Sequence, residues 1–178
     1  MILTRAAILE NVLAGRITID PFDPHSLNPN SYNYRLGAKL LRLAVPSTSD
    51  EDEHIVLPAD GYRLEPGRIY LGSTVEQIGS ETFAMSLLGR SSIGRLGLFL
   101  NISADLGHQG ACSHWTLELT AVQPLIIYPG MSIGQVAFWR CMGKRMPYEG
   151  RYHHDNEPVP CRDRDLVRRK GSVSLAAQ

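Results

Sequence analysis

The sequence has little cysteine and no long hydrophobic run. Its three cysteines, Cys112, Cys141 and Cys161, are an odd number, lie far apart and form no Cys-x-x-Cys pair. This spacing argues against a disulfide framework and against a cysteine-based zinc site. No apolar stretch approaches the ~20 residues that would span a bilayer. The apolar N-terminus carries Arg5 and Glu10 at helical spacing, unlike a secretory signal. We therefore expect a cytoplasmic protein without a membrane partner.

The sequence also lacks an excess of charge of either sign. Lys and Arg together number 18, as do Asp and Glu, so the net charge is near zero when His is neutral. Without a global basic field, nucleic acid and anionic membrane surfaces are poor partners. An anionic ligand must instead be held by a local cluster of basic residues.

Long helical patterns are scarce, whereas turn residues are frequent. Sixteen Gly and eleven Pro divide the 178 residues into short segments, which is typical of β structure. Besides a short N-terminal helix ended by Gly15, we predict strands within the segments 15–24, 31–45, 62–78, 83–89, 97–105, 114–122 and 124–142. Many short strands with Pro-Gly turns favour a sandwich or barrel.

The chain length fits one domain, 1–178. From Met146 onward the composition shifts to Tyr, His, Arg and Pro with little periodicity. We interpret 146–178 as a C-terminal tail, either a disordered end or a flap that orders over a ligand.

The densest group of polar functional residues lies at 89–98, where two arginines and two serines alternate with glycines. Arg90 and Arg95 can donate charge-assisted hydrogen bonds to phosphate oxygens. Ser91, Ser92 and glycine-permitted backbone N–H groups can complete an anion cradle. The alternative is an ordinary helix N-terminus with a serine cap.

A second candidate is Glu118, which lies in the middle of a predicted strand. Leu117 and Leu119 share one face of that strand, so Glu118 and Thr116 point to the other. A carboxylate among apolar residues is costly unless it is paired or used. A solvated strand face and a structural ion pair are the alternatives.

The tail from Tyr148 to Asp155 interleaves aromatic and basic residues, which would suit closure over a base or a phosphate; a mobile polar tail is the alternative. The histidines in and near it lack a compact His-x-x-x-His arrangement. We therefore expect no metal coordinated by the protein.

In this order the motifs resemble the dCTP deaminase family of the dUTPase-like superfamily. The resemblance covers nearly the whole chain and is carried by IDPFDP at 19–24, SYNYRLG at 31–37, GRSSIGRLGL at 89–98, TLEL at 116–119, YPGMSIGQVAF at 128–138 and YEGRY at 148–152. It implies an all-β, distorted jelly-roll or β-barrel homotrimer with three active sites, each built from neighbouring subunits. It further implies a pyrimidine nucleotide as the ligand.

The resemblance also implies an enzyme that deaminates the cytosine ring at C4 without zinc, converting dCTP to dUTP and ammonia. The absence of the H-x-E and P-C-x-x-C patterns of zinc deaminases agrees with this. Glu118 would then be the general acid/base, with Ser91 and the Ala104 carbonyl positioning the water and Arg95 holding charge near the ring. The resemblance assigns the base edge to Thr116 and the phosphates, with their Mg²⁺, to Arg90, Ser92, Gln135, Tyr148 and Arg151.

The sequence departs from the family pattern at the sugar and phosphate end. His108 and Ala111 stand where the family has an Asp that grips the 3′-hydroxyl and an aromatic residue that helps exclude a 2′-hydroxyl. Asp155 stands where the family often has Gln, and would repel a triphosphate unless a cation offsets it. Two alternatives follow: a non-catalytic pyrimidine nucleotide-binding protein of the same fold, and a dUTP pyrophosphatase. The segment 104–111 disfavours the pyrophosphatase because it lacks the Ile-Asp-Pro-Gly that such enzymes carry.

Overall fold

The computed structural model describes residues 1–45, 51–146, 148–150 and 156–162. These residues form two α-helices, α1 (Arg5–Leu13) and α2 (Ser91–Gly94), and a 3₁₀ turn at Pro24–Ser26. Their strands, in chain order, are β1 (Thr18–Asp20), β2 (Tyr32–Arg35), β3 (Lys39–Arg42), β4 (Glu53–Val56), β5 (Tyr62–Leu64), β6 (Ile69–Gly79), β7 (Phe83–Gly89), β8 (Leu98–Leu100), β9 (Leu106–Gly107), β10 (Cys112–Ala121), β11 (Leu125–Ile127) and β12 (Ser132–Arg140). The prediction of an all-β chain with a short N-terminal helix is confirmed.

The strands pair in three antiparallel sheets. One sheet has the order β4-β3-β6-β10-β8, and β1 pairs with the far end of β6. A second sheet has the order β2-β12-β7-β9, and β11 with β5 forms a small third sheet. Apart from β3–β4, every paired strand has a partner that is not its neighbour along the chain, as in a distorted jelly roll.

Alternation along the strands places one core between the sheets. In β2 the buried residues are Tyr32 and Tyr34, both with 0% exposure. In β10 they include Leu117 and Leu119, also at 0%. All four belong to one continuous hydrophobic cluster. Since successive strand residues point to opposite faces, the other face of β10 is left for function.

The segment 31–45, predicted as a strand region, is divided into β2 and β3. The division falls at Leu36 and Gly37, where the chain leaves one sheet for the other: β2 pairs with β12, whereas β3 pairs with β6. Gly37 passes close to Ser73, whose carbonyl accepts from the Gly37 N–H at 2.7 Å. A Cβ on Gly37 would lie 2.8 Å from the Ser73 hydroxyl, so the crossing requires glycine.

Helix α1 ends as predicted, with Gly15 in the left-handed region at φ +70°. The described residues contain no helix long and apolar enough to cross a membrane. From the predicted tail, residues 156–162 lie back on the sheets, where Glu157 pairs with Lys39 at 2.6 Å. Whether the whole tail closes stays a prediction, because 151–155 and 163–178 lie outside the described residues.

Candidate active site

Glu118 lies on β10 on the face opposite the core, as its neighbours predict. Leu117 and Leu119 are buried, and Glu118 between them is exposed. Its carboxylate has no ion pair or hydrogen bond within the described part of the chain, so the structural ion-pair alternative gains no support. The backbone of Glu118 is held on both edges, by β6 at Leu71 and by Asn101 beyond the end of β8.

A pocket of about 600 Å³ opens beside Glu118. It is lined by five residues that the sequence analysis assigned to the site: Ala104, His108, Thr116, Glu118 and Tyr148. Val159 and Cys161 from the C-terminal segment complete one side. The pocket therefore joins a free carboxylate to a largely apolar cavity of the size that holds a small organic ligand.

One wall of the pocket is a stacked aromatic pair. The rings of His108 and Tyr148 lie 5.1 Å apart at an interplanar angle of 19°. The Tyr148 N–H donates to the carbonyl of Gln109 at 2.9 Å, and the Gln109 side chain donates to the carbonyl of Thr82 at 2.7 Å. These contacts fasten the beginning of the tail to the turn that follows β9.

A second wall comes from an irregularity in β10. The register between β10 and β6 shifts between His114 and Thr116, and the Trp115 N–H donates to the Thr74 hydroxyl at 2.9 Å. The Trp115 indole donates to the carbonyl of Ile78 at 2.8 Å. Such a bulge re-aims side chains next to a site, and here His114, Trp115 and Thr116 all line the pocket.

The remaining predicted residues form a separate group around α2. Ser91 and Ser92 open this helix and are exposed, as is Arg95 at its C-terminal end. The N-cap residue is Arg90, and no side chain caps the helix. The serine-cap alternative is therefore wrong: the helix exists, but the two hydroxyls are left for other partners.

Arg90 and Gln135 belong to the same group and are anchored by internal hydrogen bonds. The Arg90 guanidinium donates to the carbonyl of Ser132 at 3.0 Å. Gln135 accepts from the Ser31 hydroxyl at 2.7 Å and donates to the carbonyl of Gly89 at 3.2 Å. These bonds fix the turn at 89–90 and still leave N–H groups on both side chains for an anion.

The structure therefore gathers the predicted residues into two groups rather than one. None of the α2 group lines the pocket of its own chain in the region that the structure describes. Arg151 and Asp155 lie outside the described residues. Among described residues, no cluster of His, Cys, Asp and Glu could hold a metal ion.

Sequence reasoning missed two residues of the pocket, Asn101 and Trp115. Asn101 combines a left-handed φ of +45° with 6% exposure. The available signal was weak: an Asn directly after an apolar strand, a residue type that tolerates this conformation. The signal for Trp115 was its place on the strand of Glu118, but the bulge that turns it toward the pocket has no mark in the sequence.

An all-β chain with a carboxylate in a ligand-sized pocket and an exposed Arg-Ser-Ser turn defines a nucleotide-metabolising class of protein. The family model described as dCTP deaminase-like matches residues 2–141. The chain therefore belongs to the dCTP deaminase-like family.

Individual relatives agree with this assignment. The chain is 40% identical over 160 residues to a protein of Cytophaga hutchinsonii named dCTP deaminase, dUMP-forming, covering 85% of this chain and 91% of the relative. It is 40% identical over 158 residues to a dCTP deaminase of Rhodopirellula baltica, covering 85% and 79%.

A solved structure, the 2′-deoxycytidine 5′-triphosphate deaminase of Agrobacterium tumefaciens, matches with a TM-score of 0.63 at 22% identity. The match covers 77% of this chain and 47% of the solved one, so this chain spans about half of its length. At this identity the match supports the fold.

Proposed function

We propose that this protein hydrolytically deaminates a cytosine nucleotide, with dCTP as the leading substrate, and that Glu118 is its general acid/base. The observation that carries the proposal is the Glu118 carboxylate, exposed to the pocket and unpaired within the described residues, on a backbone fixed on both edges. The names of the relatives from Cytophaga hutchinsonii and Rhodopirellula baltica supply the substrate.

In the proposed reaction Glu118 takes a proton from water while the water oxygen bonds to C4 of the ring. Glu118 then passes the proton to N3. As the C4–N bond breaks, the proton of the new hydroxyl travels through Glu118 to the leaving nitrogen, and ammonia departs from a uracil ring. A positioned acid/base of this kind contributes about 10²–10⁴-fold. The Ala104 carbonyl and the Ser91 hydroxyl would hold the water, Arg95 would hold charge near the ring, and Thr116 would contact the base edge.

The phosphates are proposed to lie against the α2 group. Arg90 and Gln135 retain N–H donors after their internal bonds, and Ser92 is exposed beside them. His108 with Tyr148 would flank the sugar, while Arg151 and Asp155 would act from the tail. Mg²⁺ would be held by the phosphates themselves, which suits a described donor set made of Arg, Ser and Gln rather than carboxylates. Its contribution would be to neutralise phosphate charge.

A homotrimer with shared sites is also part of the proposal. Within one chain the pocket and the α2 group are separate, so a complete site requires a second copy. Large apolar side chains near both groups are exposed: Leu96 48%, Phe99 41%, Leu106 57% and Val122 63%. Their burial between copies would be the driving force. We place this trimer in the cytoplasm.

The product is the point on which the relatives differ. Those from Cytophaga hutchinsonii and Hathewaya histolytica are named dUMP-forming, whereas that from Rhodopirellula baltica is named dCTP deaminase. Forming dUMP requires a second hydrolysis that releases pyrophosphate. Deamination is the step that Glu118 supports; pyrophosphate measured beside ammonia decides between dUTP and dUMP.

The test is ammonia release from CTP, dCTP, CMP, dCMP and cytidine with Mg²⁺, with products separated chromatographically. We expect a uracil product from dCTP. Glu118→Gln should lower kcat by about 10²-fold or more while nucleotide binding stays within a few fold. The matched control Glu10→Gln, on α1, should behave as wild type.

Three outcomes would contradict the proposal. Wild-type turnover in Glu118→Gln would reject the assigned base. Nucleotide binding without ammonia from any compound would instead favour a binding protein. Pyrophosphate from dUTP without ammonia from dCTP would favour the pyrophosphatase.

A further inference from the structure

We infer that Asn101 is the positioning residue for this reaction, because its side-chain amide oxygen replaces a main-chain carbonyl in the β-ladder and fixes the backbone of Glu118. The same residue turns the segment 102–104 toward the pocket. The inference rests on the proposed function, since it concerns how the base and the water are held.

The ladder between β8 and β10 identifies the substitution. Their register pairs Leu98 with Ala121 and Leu100 with Leu119, so the next pair is Asn101 with Glu118. In a hydrogen-bonded antiparallel pair the two residues exchange both N–H···O bonds. The Asn101 N–H donates to the Glu118 carbonyl at 3.0 Å as expected. The return bond, from the Glu118 N–H, goes to the Asn101 side-chain Oδ1 at 2.8 Å.

The backbone of Asn101 explains why its own carbonyl is not used. Its φ is +45°, and it is the one non-glycine residue with positive φ in the described ranges. This left-handed conformation ends β8 and directs the following residues away from β10. Asn is among the few non-glycine residues that adopt it readily, and its side chain can supply the acceptor that the turn removes.

Both groups proposed to hold the water therefore depend on one residue. Glu118 is tied to Asn101 by two bonds, and Ala104, three residues after the turn, lines the pocket with Glu118. Asn101 is 6% exposed, so water cannot readily replace a lost bond. A misplacement of about 1 Å in such a constellation can cost about 10²-fold in rate.

Two substitutions separate the conformation from the acceptor. Asn101→Gly keeps the left-handed turn and removes the amide oxygen, leaving the Glu118 N–H without its partner. We expect kcat to fall by about 10–100-fold with KM within about 3-fold. Asn30→Gly, an exposed Asn outside the site, is the matched control and should retain wild-type kcat.

Asn101→Asp keeps both the turn and the acceptor but adds a carboxylate near Glu118. We expect kcat to recover at high pH. The acidic limb of the kcat–pH profile should move to higher pH, because a neighbouring negative charge raises the pKa of a carboxyl. A purely structural role would lower the melting temperature without moving this limb.

Amide hydrogen exchange at Glu118 in the ligand-free protein gives a readout that does not require turnover. Exchange should be faster in Asn101→Gly and close to wild type in Asn101→Asp. If wild type releases no ammonia, the proposed function fails while this measurement still tests Asn101. Wild-type kcat and exchange in Asn101→Gly would overturn the inference. Equal kcat losses in both variants with an unmoved pH limb would also overturn it.

Discussion

Glu76 is a carboxylate with almost no access to water, at 0% exposure. Its Oε1 accepts from the Arg35 guanidinium at 2.7 Å, and its Oε2 accepts from the Arg35 main-chain N–H at 2.9 Å. The hydrogen bond to Glu76 raises the pKa of Arg35. Arg35 ends β2 and Glu76 lies in β6, so this pair ties the two main sheets together. Its value to the fold is greatest when both partners are present.

Arg35→Met should destabilise the protein by about 2–4 kcal/mol, because it leaves a buried charge uncompensated. The Arg35 side chain is 38% exposed, which favours the lower end because water screens the pair. The double variant Arg35→Met/Glu76→Leu should recover part of the loss. Urea unfolding at one fixed protein concentration measures both. A double variant no more stable than Arg35→Met would contradict this account.

Single residues were predictable where their chemistry showed in the local pattern. Glu118 was found because two buried leucines flank it, and the strand period then fixed its face. Asn101 was not found, because its role depends on the register of β8 against β10, whose paired residues are about twenty positions apart along the chain. The serine-cap alternative failed for a related reason: the sequence shows hydroxyls before a helix but not where its first turn begins.

At the scale of elements, the bulge in β10 depends on one hydroxyl from the neighbouring strand. Thr74, 2% exposed, accepts from the Trp115 N–H and donates to the carbonyl of Glu76 at 2.7 Å. A bulge leaves a residue without its ladder partner, and the Thr74 hydroxyl supplies the missing acceptor. The pocket wall at 114–116 is thus built by β6 as well as by β10.

Thr74→Val keeps the side-chain shape and removes that acceptor. We expect a loss of about 1–3 kcal/mol in unfolding free energy, the cost of an unsatisfied buried N–H. Because the bulge shapes the wall rather than Glu118, KM should rise more than kcat falls. Thr120→Val makes the same change elsewhere on β10 and should leave KM unchanged. An unaltered KM in a destabilised Thr74→Val would show that the bulge serves the fold alone.

Most strands were predictable from alternation and Pro-Gly turns, but their partners were not. The segment 62–78 is divided at its Pro-Gly turn into β5 and β6, as the turn residues indicate. The segment 31–45 is divided at Gly37 because β2 and β3 join different sheets. Local sequence reports the period of a strand, whereas the sheet it joins is set by burial against distant segments.

At the scale of the whole molecule, the separation of the pocket from the α2 group makes a prediction about subunits. If one site takes Glu118 from one copy and Arg90 from the next, two inactive variants can complement each other. Glu118→Gln supplies an intact Arg90, and Arg90→Ala supplies an intact Glu118. When both are present in one trimer, some of the sites contain neither substitution.

Co-expression of the two variants in equal amounts should therefore restore activity. Random assembly of trimers places both intact residues in about a quarter of the shared sites, so ammonia release should approach about a quarter of the wild-type value per site. Each variant alone should stay inactive, and sedimentation should show each as a trimer. Purified variants mixed without subunit exchange form the matched control. Co-expressed variants that assemble together yet stay inactive would mean that each chain completes its own site, and the exposed apolar side chains near α2 would then need another explanation.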